Sequence, residues 1–425
     1  MEIQTASDQP VVLPPTMRAF VLDGQGPDHA SVRLVATPSP GPGQLVGRVE
    51  AAGICSSVNK VIAQAGGHAL LYGRDLAAHP ATLGDEGVIT VAAVGDGLAG
   101  RFSVGERYAV QPAVDAAPVT DLASYPNRGA GIRKVAVGYT LPGLLAEYVL
   151  IGQEVISAGC LIPIAGDGPA AAHLAIAEPI SCVISSHAHH LRIQQSDPRR
   201  AREAVTGLRP RGVAVVIGGG AMGRMHVDVA LGSGPRCVVV SDRHDNRLDV
   251  VRAQFGARAA ALGVSLLTAN PQTTDVGALV ATLTDGAMAD DVIVAAGSAA
   301  AVEAAQRLVA RHGVLNLFGG LSPDDAIVGI DGRAVHYSEL VVTGSSGGGP
   351  HDLAMAVELM ATGRIDPGRH ISHIGGLEHT PAFLAMIRDR LNDGKAVVYP
   401  NHRLPGILAV DGWRVEDETA LLGSG

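Results

Sequence analysis

Lysine is almost missing from this chain. Of 32 basic residues only three are lysines, Lys60, Lys134 and Lys395, and the other 29 are arginines. Cysteine is nearly as scarce: four in 425 residues cannot build the dense disulfide framework of a small secreted protein. Positive charge is outweighed, with 41 acidic residues and a net charge of -9, which excludes the basic face of a nucleic-acid binder. Charged residues make up only 17% against 47% hydrophobic, so the chain is not disordered as a whole. The mean hydropathy is positive, at +0.24. Yet no apolar run reaches the roughly 18–20 residues that a spanning helix needs. The longest, VLIGQEVISAGCLIPIAG (149–166), is interrupted by Gln153 and Glu154. The first residues, MEIQTASDQPVVLPP, show no basic-then-apolar leader. These absences together predict a soluble, cytoplasmic protein with no membrane or nucleic-acid partner.

Glycine is plentiful, 54 residues, without the three-residue period of collagen. The length allows two or three domains. Residues 17–110 read as short strands separated by glycine turns, as in a partly open β-barrel. Residues 111–143 are the least regular stretch and read as a lobe or long loop. From Gly212 the pattern changes to alternating buried strands and helices. Strands are expected at 213–218, 237–242, 291–297, 313–320 and 340–347, and helices at 221–232, 246–255, 300–311 and from 351. That alternation predicts a doubly wound parallel sheet.

Gly218-Gly219-Gly220-Ala221-Met222-Gly223 follows a buried strand and opens a helix, the setting that gives G-x-G-x-x-G its meaning. Gly218 permits the tight turn, Gly220 lets the backbone approach a pyrophosphate, and Gly223 allows close helix–strand packing. The helix N-terminus offers N–H donors and a positive dipole to phosphate. Asp242 ends the next strand, 22 residues beyond Gly220, where an acid binds a ribose 2′-hydroxyl and repels a 2′-phosphate. NAD is therefore the expected cofactor, and Arg243 keeps NADP open. Gly297 is expected to give close backbone approach at the switch point.

Three further short runs stand out: Gly53-Ile54-Cys55-Ser56-Ser57, Gly84-Asp85-Glu86-Gly87 and Glu178-Pro179. Their order ahead of the glycine fingerprint resembles the zinc-dependent medium-chain dehydrogenase/reductase family. The likeness spans residues 17–400 and is strongest to its polyol branch. The runs DDVIVAAG (290–297), HYSELVVTGSSGG (336–348), ISHIGGLEH (371–379) and GKAVVYP (394–400) resemble sugar-phosphate reductases of the L-sorbose-1-phosphate type. The resemblance implies an α/β chain with a GroES-like β-barrel catalytic domain and a Rossmann domain, the active site lying in the cleft. It places the domains at 1–184, 185–349 and 350–425, the last returning to the catalytic domain. Carried over, Cys55 is the catalytic zinc thiolate, Glu86 and Glu178 are the carboxylates, and Ser57 is the hydroxyl that passes the substrate proton outward. Asp85 stands where the family has histidine. Cys55, Asp85, Glu86 and Glu178 would then surround one zinc or other divalent metal with four negative charges. A harder donor set suits other metals too. The competing reading makes Cys55 a small buried hydrophobe and the acids structural partners of arginines.

The family's structural-zinc lobe would fall in residues 111–143, which contain no cysteine, so no structural zinc is expected. Cys160, Cys182 and Cys237 lie in apolar sequence and read as core residues. Lys60, five residues after Cys55, relays a proton or holds an anionic substrate group, or is simply a solvated helix lysine. His187, His189 and His190 read as a surface helix end rather than a metal site. Arg74 and Arg133 are scattered arginines available to a phosphate. The reading is an NAD(P)-dependent oxidoreductase interconverting a secondary alcohol and ketone of a polyol, sugar or sugar phosphate by metal-assisted hydride transfer. The alternatives are an epimerase or cyclase that retains its NAD, and a cofactor-binding protein whose metal site has decayed. The resemblance also implies a homodimer or homotetramer paired through a Rossmann edge strand.

Overall fold

The computed structural model describes residues 13–114, 134–166, 168–195 and 197–423. Most of the irregular stretch expected at 111–143, with Arg133, lies outside the described residues. The chain divides into two compact units, residues 1–178 with 371–425, and residues 179–370. Among the described residues no helix is long and apolar enough to cross a membrane.

The first unit is built on an eight-stranded sheet. Leu161–Pro163, Arg107–Val110, Glu86–Val94, Leu45–Gly53, Lys395–Tyr399, Ile371–Gly376 and Leu408–Ala409 lie side by side in that order, and Tyr148–Ile151 also pairs with Leu45–Gly53. A three-stranded sheet of Ala30–Ala36, Thr16–Leu22 and Ala81–Thr82 accompanies it. Buried Phe20, Leu45, Ile54, Leu83, Ile89 and Phe383 belong to one continuous core. The register decides what meets at the sheet's end. Leu45–Gly53 runs antiparallel to Glu86–Val94, and its last residue, Gly53, faces Glu86. On its other side Gly53 pairs with Val397 of the C-terminal strand. Cys55, Asp85 and Lys395, all within two residues of these pairs, are thereby delivered to one place from three distant parts of the sequence.

The second unit is built on a six-stranded parallel sheet, beside which Arg192–Gln194 and Glu203–Val205 form a small antiparallel pair. The order of the parallel sheet is Ser265–Ala269, Cys237–Ser241, Val213–Ile217, Ala289–Val294, Val309–Leu317, Val341–Gly344. The direction of winding reverses between Val213–Ile217 and Ala289–Val294, which makes that junction the switch point. Val213 to Val216 are all fully buried, as a central strand covered on both faces requires. Sequence periodicity passes over the edge strand Ser265–Ala269, whose central residues are only partly buried, and the helix Val276–Leu283. It also stops one helix at 255, before Gly256. The helix Asp245–Ala261 continues through that glycine because Ala259 still packs into the core.

The chain passes from one unit to the other at Glu178/Pro179 and His370/Ile371, not at 184/185 and 349/350. Residues 350–370 stay with the second unit for a physical reason. Arg258 and Gln254 of the helix Asp245–Ala261 bond the carbonyls of Arg364 (2.6 Å) and Arg369 (2.9 Å), and buried His370 bonds Asp228 at 2.9 Å. Val341–Gly344 lies at an edge of this sheet, whereas Val309–Leu317 is paired on both sides.

Candidate active site

At the end of the first unit's large sheet, Cys55, Asp85 and Glu86 each offer one donor atom, and those atoms all lie within 4.8 Å of one another. Cys55 caps the helix Ser56–Gln64, its sulfur accepting from the Ser57 N–H at 3.5 Å. Asp85 Oδ2 accepts from Ser57 Oγ (2.9 Å) and from the Tyr139 hydroxyl (3.0 Å). Glu86, 1% exposed, accepts at Oε1 from Lys395 Nζ at 2.6 Å, and the ammonium also reaches the Ile54 carbonyl at 3.3 Å. The second oxygens, Asp85 Oδ1 and Glu86 Oε2, are buried with no hydrogen-bond partner. Buried carboxylate oxygens are normally satisfied. Two of them beside a cysteine sulfur suit a divalent cation, and the donor types are those zinc accepts. Gly53 is required here: a Cβ at that position would sit 2.1 Å from Glu86 Oε2 and 3.0 Å from the Ala175 carbonyl. Glu178 is not among the three clustered donors, but its charge acts on both Cys55 and Lys395.

Burial, then the charges of Asp85 and Glu86, pushes the Cys55 thiol well above its ordinary value. Burial also raises Asp85, against hydrogen bonds from Ser57 and Tyr139, and raises Glu86, against the Lys395 ammonium. Burial works against the Lys395 charge, but Glu86 and Cys55 more than offset it, so the ammonium is held charged. A metal binds the deprotonated forms. Zinc binding to the metal-free protein is therefore expected to release protons and to tighten as pH rises above the ordinary carboxylate range. Titration calorimetry in two buffers of different ionisation enthalpy measures this; equal heats in both would contradict it.

The glycine turn of the second unit has the form a dinucleotide needs. Gly218 takes φ +108° at the strand end, and a Cβ there would lie 3.3 Å from Ala295. A Cβ on Gly220 would meet nothing nearer than Arg247 Nη1 at 4.0 Å, so this backbone is open to a pyrophosphate. Gly220 caps the helix Ala221–Gly232, with partly exposed Met222 in its first turn. Gly223 packs against the turn: its Cβ would fall 1.8 Å from the Gly218 carbonyl oxygen. Asp242 holds the turn through the Gly219 N–H (2.8 Å) and accepts from the His244 N–H (2.9 Å). Gly297 approaches the neighbouring loop closely, with 2.7 Å between its would-be Cβ and the Gly320 carbonyl. Arg243 is exposed. Replacing Gly223 by alanine is expected to weaken NADH binding about 10- to 100-fold, with a stability loss of about 1–3 kcal/mol, the usual range for overpacking. NADH fluorescence titration and thermal unfolding read the two effects.

Sequence reasoning missed three residues. Lys395 carried only its rarity as a signal. Tyr139 carried none. Arg247, 3.5 Å from the Asp242 carboxylate and beside the open glycines, sits two residues into an acidic helix start that hid it. Lys60 is exposed on the helix Ser56–Gln64, where its charge acts on His68. Arg74 is committed to the carbonyls of His79 (2.7 Å) and Pro80 (2.6 Å). The histidine run is not a surface helix end. His187 and His190 are buried, the first bonding His226 at 3.0 Å and the second Asp291 at 2.8 Å, because the helix Ala177–Ala188 ends against the sheet. Burial, with His190 beside it, holds His187 down to about 3. Only His189 of the three is exposed. Cys160 and Cys237 are core residues, whereas Cys182 is half-buried, and none of the four cysteines forms a disulfide.

Residues 41–159 match the alcohol dehydrogenase GroES-like domain and residues 221–362 match the zinc-binding dehydrogenase domain. The chain is 33% identical over 337 residues to the uncharacterised protein YggP of Escherichia coli, covering 78% of this chain and 74% of the relative. It is 31% identical over 338 residues to mannitol-1-phosphate 5-dehydrogenase of Aliivibrio fischeri, covering 78% and 75%. It is 27% identical over 367 residues to L-sorbose 1-phosphate reductase of Klebsiella pneumoniae, covering 85% and 83%. A zinc-binding dehydrogenase of Sinorhizobium meliloti solved with NADP superposes with a TM-score of 0.70 at 24% identity, over 91% of this chain and 99% of that one, which shows the fold. The chain belongs to the zinc-binding medium-chain dehydrogenase family, among relatives that include sugar-phosphate and polyol dehydrogenases.

Proposed function

We propose that this protein is an NAD(P)-dependent dehydrogenase that interconverts a secondary alcohol and a ketone of a polyol, sugar or sugar phosphate. The observation that carries the reading is the cluster of Cys55, Asp85 and Glu86 with its two unpartnered buried carboxylate oxygens. Those three residues, with Glu178 beside them, hold one divalent metal. Bound there, it would supply polarisation of the reacting oxygen. Ser57 donates its proton to Asp85, which leaves the Oγ lone pairs to accept the proton of a substrate hydroxyl. The backbone of Gly218 to Gly223 and the following helix N-terminus bind the cofactor pyrophosphate. Asp242 favours NAD, because a 2′-phosphate would be repelled by its carboxylate. Lys60 is exposed, its charge acts on His68, whose ring lies 5.3 Å from that of Tyr139, and it holds an anionic group of the substrate. The chain works in the cytoplasm as a homodimer or homotetramer through the edge strand Val341–Gly344.

Metal analysis of purified protein, with NADH and NADPH formation across a panel of polyols and their phosphates, tests this. One metal per chain and stoichiometric NADH from one polyol class support it. Product without reduced cofactor would replace it by an epimerase or cyclase. Within the same panel, Lys60→Met is expected to raise KM for phosphorylated polyols only.

A further inference from the structure

The short helix Ala171–Ala175 leads, through Ile176, into the helix that carries Glu178. It has no cap of its own: Ala170 precedes it and no side chain within the segment bonds its first N–H groups. Such groups need partners when buried, and Ala171 and Ala172 are both buried. The partner comes from 247 residues away. Glu418, on the C-terminal helix Val415–Leu422, accepts from the Ala171 N–H at 2.7 Å and from the Ala172 N–H at 2.9 Å. A carboxylate also suits that end of the helix electrostatically. The same Glu418 accepts the Tyr399 hydroxyl at 2.6 Å. Tyr399 closes the strand Lys395–Tyr399, whose first residue is the lysine that holds Glu86. Two more bonds fasten the tail. The Trp413 indole donates to the Tyr399 oxygen at 3.0 Å, and the His173 ring bonds the Trp413 carbonyl at 2.6 Å. Trp413, Tyr399 and His173 are all buried.

We propose that Glu418 is a positioning residue for the metal centre: it ties the helix leading to Glu178 to the strand that carries Lys395. The inference rests on the metal reading above. Its geometry is independent of that reading, since both bonded segments end at members of the site. Glu418 is not among the clustered donors; it fixes the separation of the segment that leads to Glu178 and the strand that begins at Lys395. Outer partners of this kind change metal affinity by about 10- to 100-fold when removed.

The test is zinc affinity of the full-length, metal-free protein, measured by competition with a chromophoric chelator. Trp413, the chain's single tryptophan, reports by its emission whether the tail is docked. Glu418→Gln is expected to lower zinc affinity at least about tenfold with Trp413 still in its buried environment. Glu418→Asp is expected to recover part of the loss. Arg414→Ala, which breaks only the exposed Arg414–Asp417 pair of the same helix, is expected to change nothing. If Glu418→Gln does not fold, Tyr399→Phe cuts the strand side of the tie together with the Trp413 indole bond, and tail docking is then read from the trypsin resistance of the C-terminal helix instead of from Trp413 emission. A docked tail with unchanged zinc affinity overturns the proposal. So does an equal loss in Arg414→Ala, which would mark a general destabilisation. Wild-type protein that binds no zinc overturns the metal reading and this proposal together.

Discussion

Replacing Lys395 by methionine is expected to cost the metal-free protein about 3–5 kcal/mol of stability at pH 8, the usual penalty for removing one member of a buried ion pair. Lys395 and Glu86 are 7% and 1% exposed, and their 2.6 Å contact is the ion pair that Glu86 makes among the described residues. The wild-type pair contributes fully at neutral pH. The folded lysine's affinity for its proton is raised, so its contribution is lost only above the ordinary lysine range. In the variant, Glu86 keeps the burial that already raises it and loses the ammonium that opposed the rise. A carboxyl whose folded pKa lies above its unfolded one destabilises the fold progressively as pH rises past the unfolded value. The deficit should therefore shrink toward pH 5, where Glu86 takes a proton at little cost. A divalent metal supplies the missing positive charge, so saturating zinc should restore much of the loss. Urea unfolding at pH 5.5 and pH 8, with and without a chelator, measures all four conditions. An equal deficit in all of them would mean that the Lys395 charge does not carry the effect.

Lys395 also shows where sequence reasoning ends. The dinucleotide half was legible because its signals are local. Val213–Ile217 is a continuous run of buried apolar residues, the glycines follow it directly, and Asp242 closes the next strand. The three donors Cys55, Asp85 and Glu86 were legible as short runs whose order resembles a family. Their electrostatic partner was not, because Lys395 reaches Glu86 across 309 residues by strand pairing. No periodicity of the tail reports that Val397 will lie beside Gly53. The competing expectation gave the acids arginine partners; the structure gives Glu86 a lysine and Asp85 two hydroxyls. His187 and His190 failed in the opposite direction. A polar run at a helix end reads as solvated, but each ring finds a buried partner in a different element, and a polar group buries at modest cost once bonded.

The second large effect is expected at Asp85. Asp85→Ala should lower zinc affinity at least about 100-fold and reduce kcat/KM for alcohol oxidation about 1000-fold, or about 4 kcal/mol of transition-state stabilisation. The substitution removes one of three clustered donors and leaves the Ser57 and Tyr139 hydroxyls without their shared acceptor. NADH affinity should not change, because Gly218 to Gly223 and Asp242 belong to the other unit and none of them bonds Asp85. Asp85→His separates the ligand role from the hydroxyl-accepting role. An imidazole nitrogen is a good zinc donor and removes one negative charge from the set. Zinc should therefore be retained in Asp85→His and lost in Asp85→Ala. Turnover of the histidine variant then depends on Ser57 alone: without Asp85 to receive its proton, the pH profile of kcat should shift while metal content does not. Metal content after dialysis, NADH titration and kcat against pH, taken on both variants, decide the matter. Full zinc and wild-type turnover in Asp85→Ala would remove Asp85 from the ligand set and leave Cys55 and Glu86, with Glu178, to hold the metal.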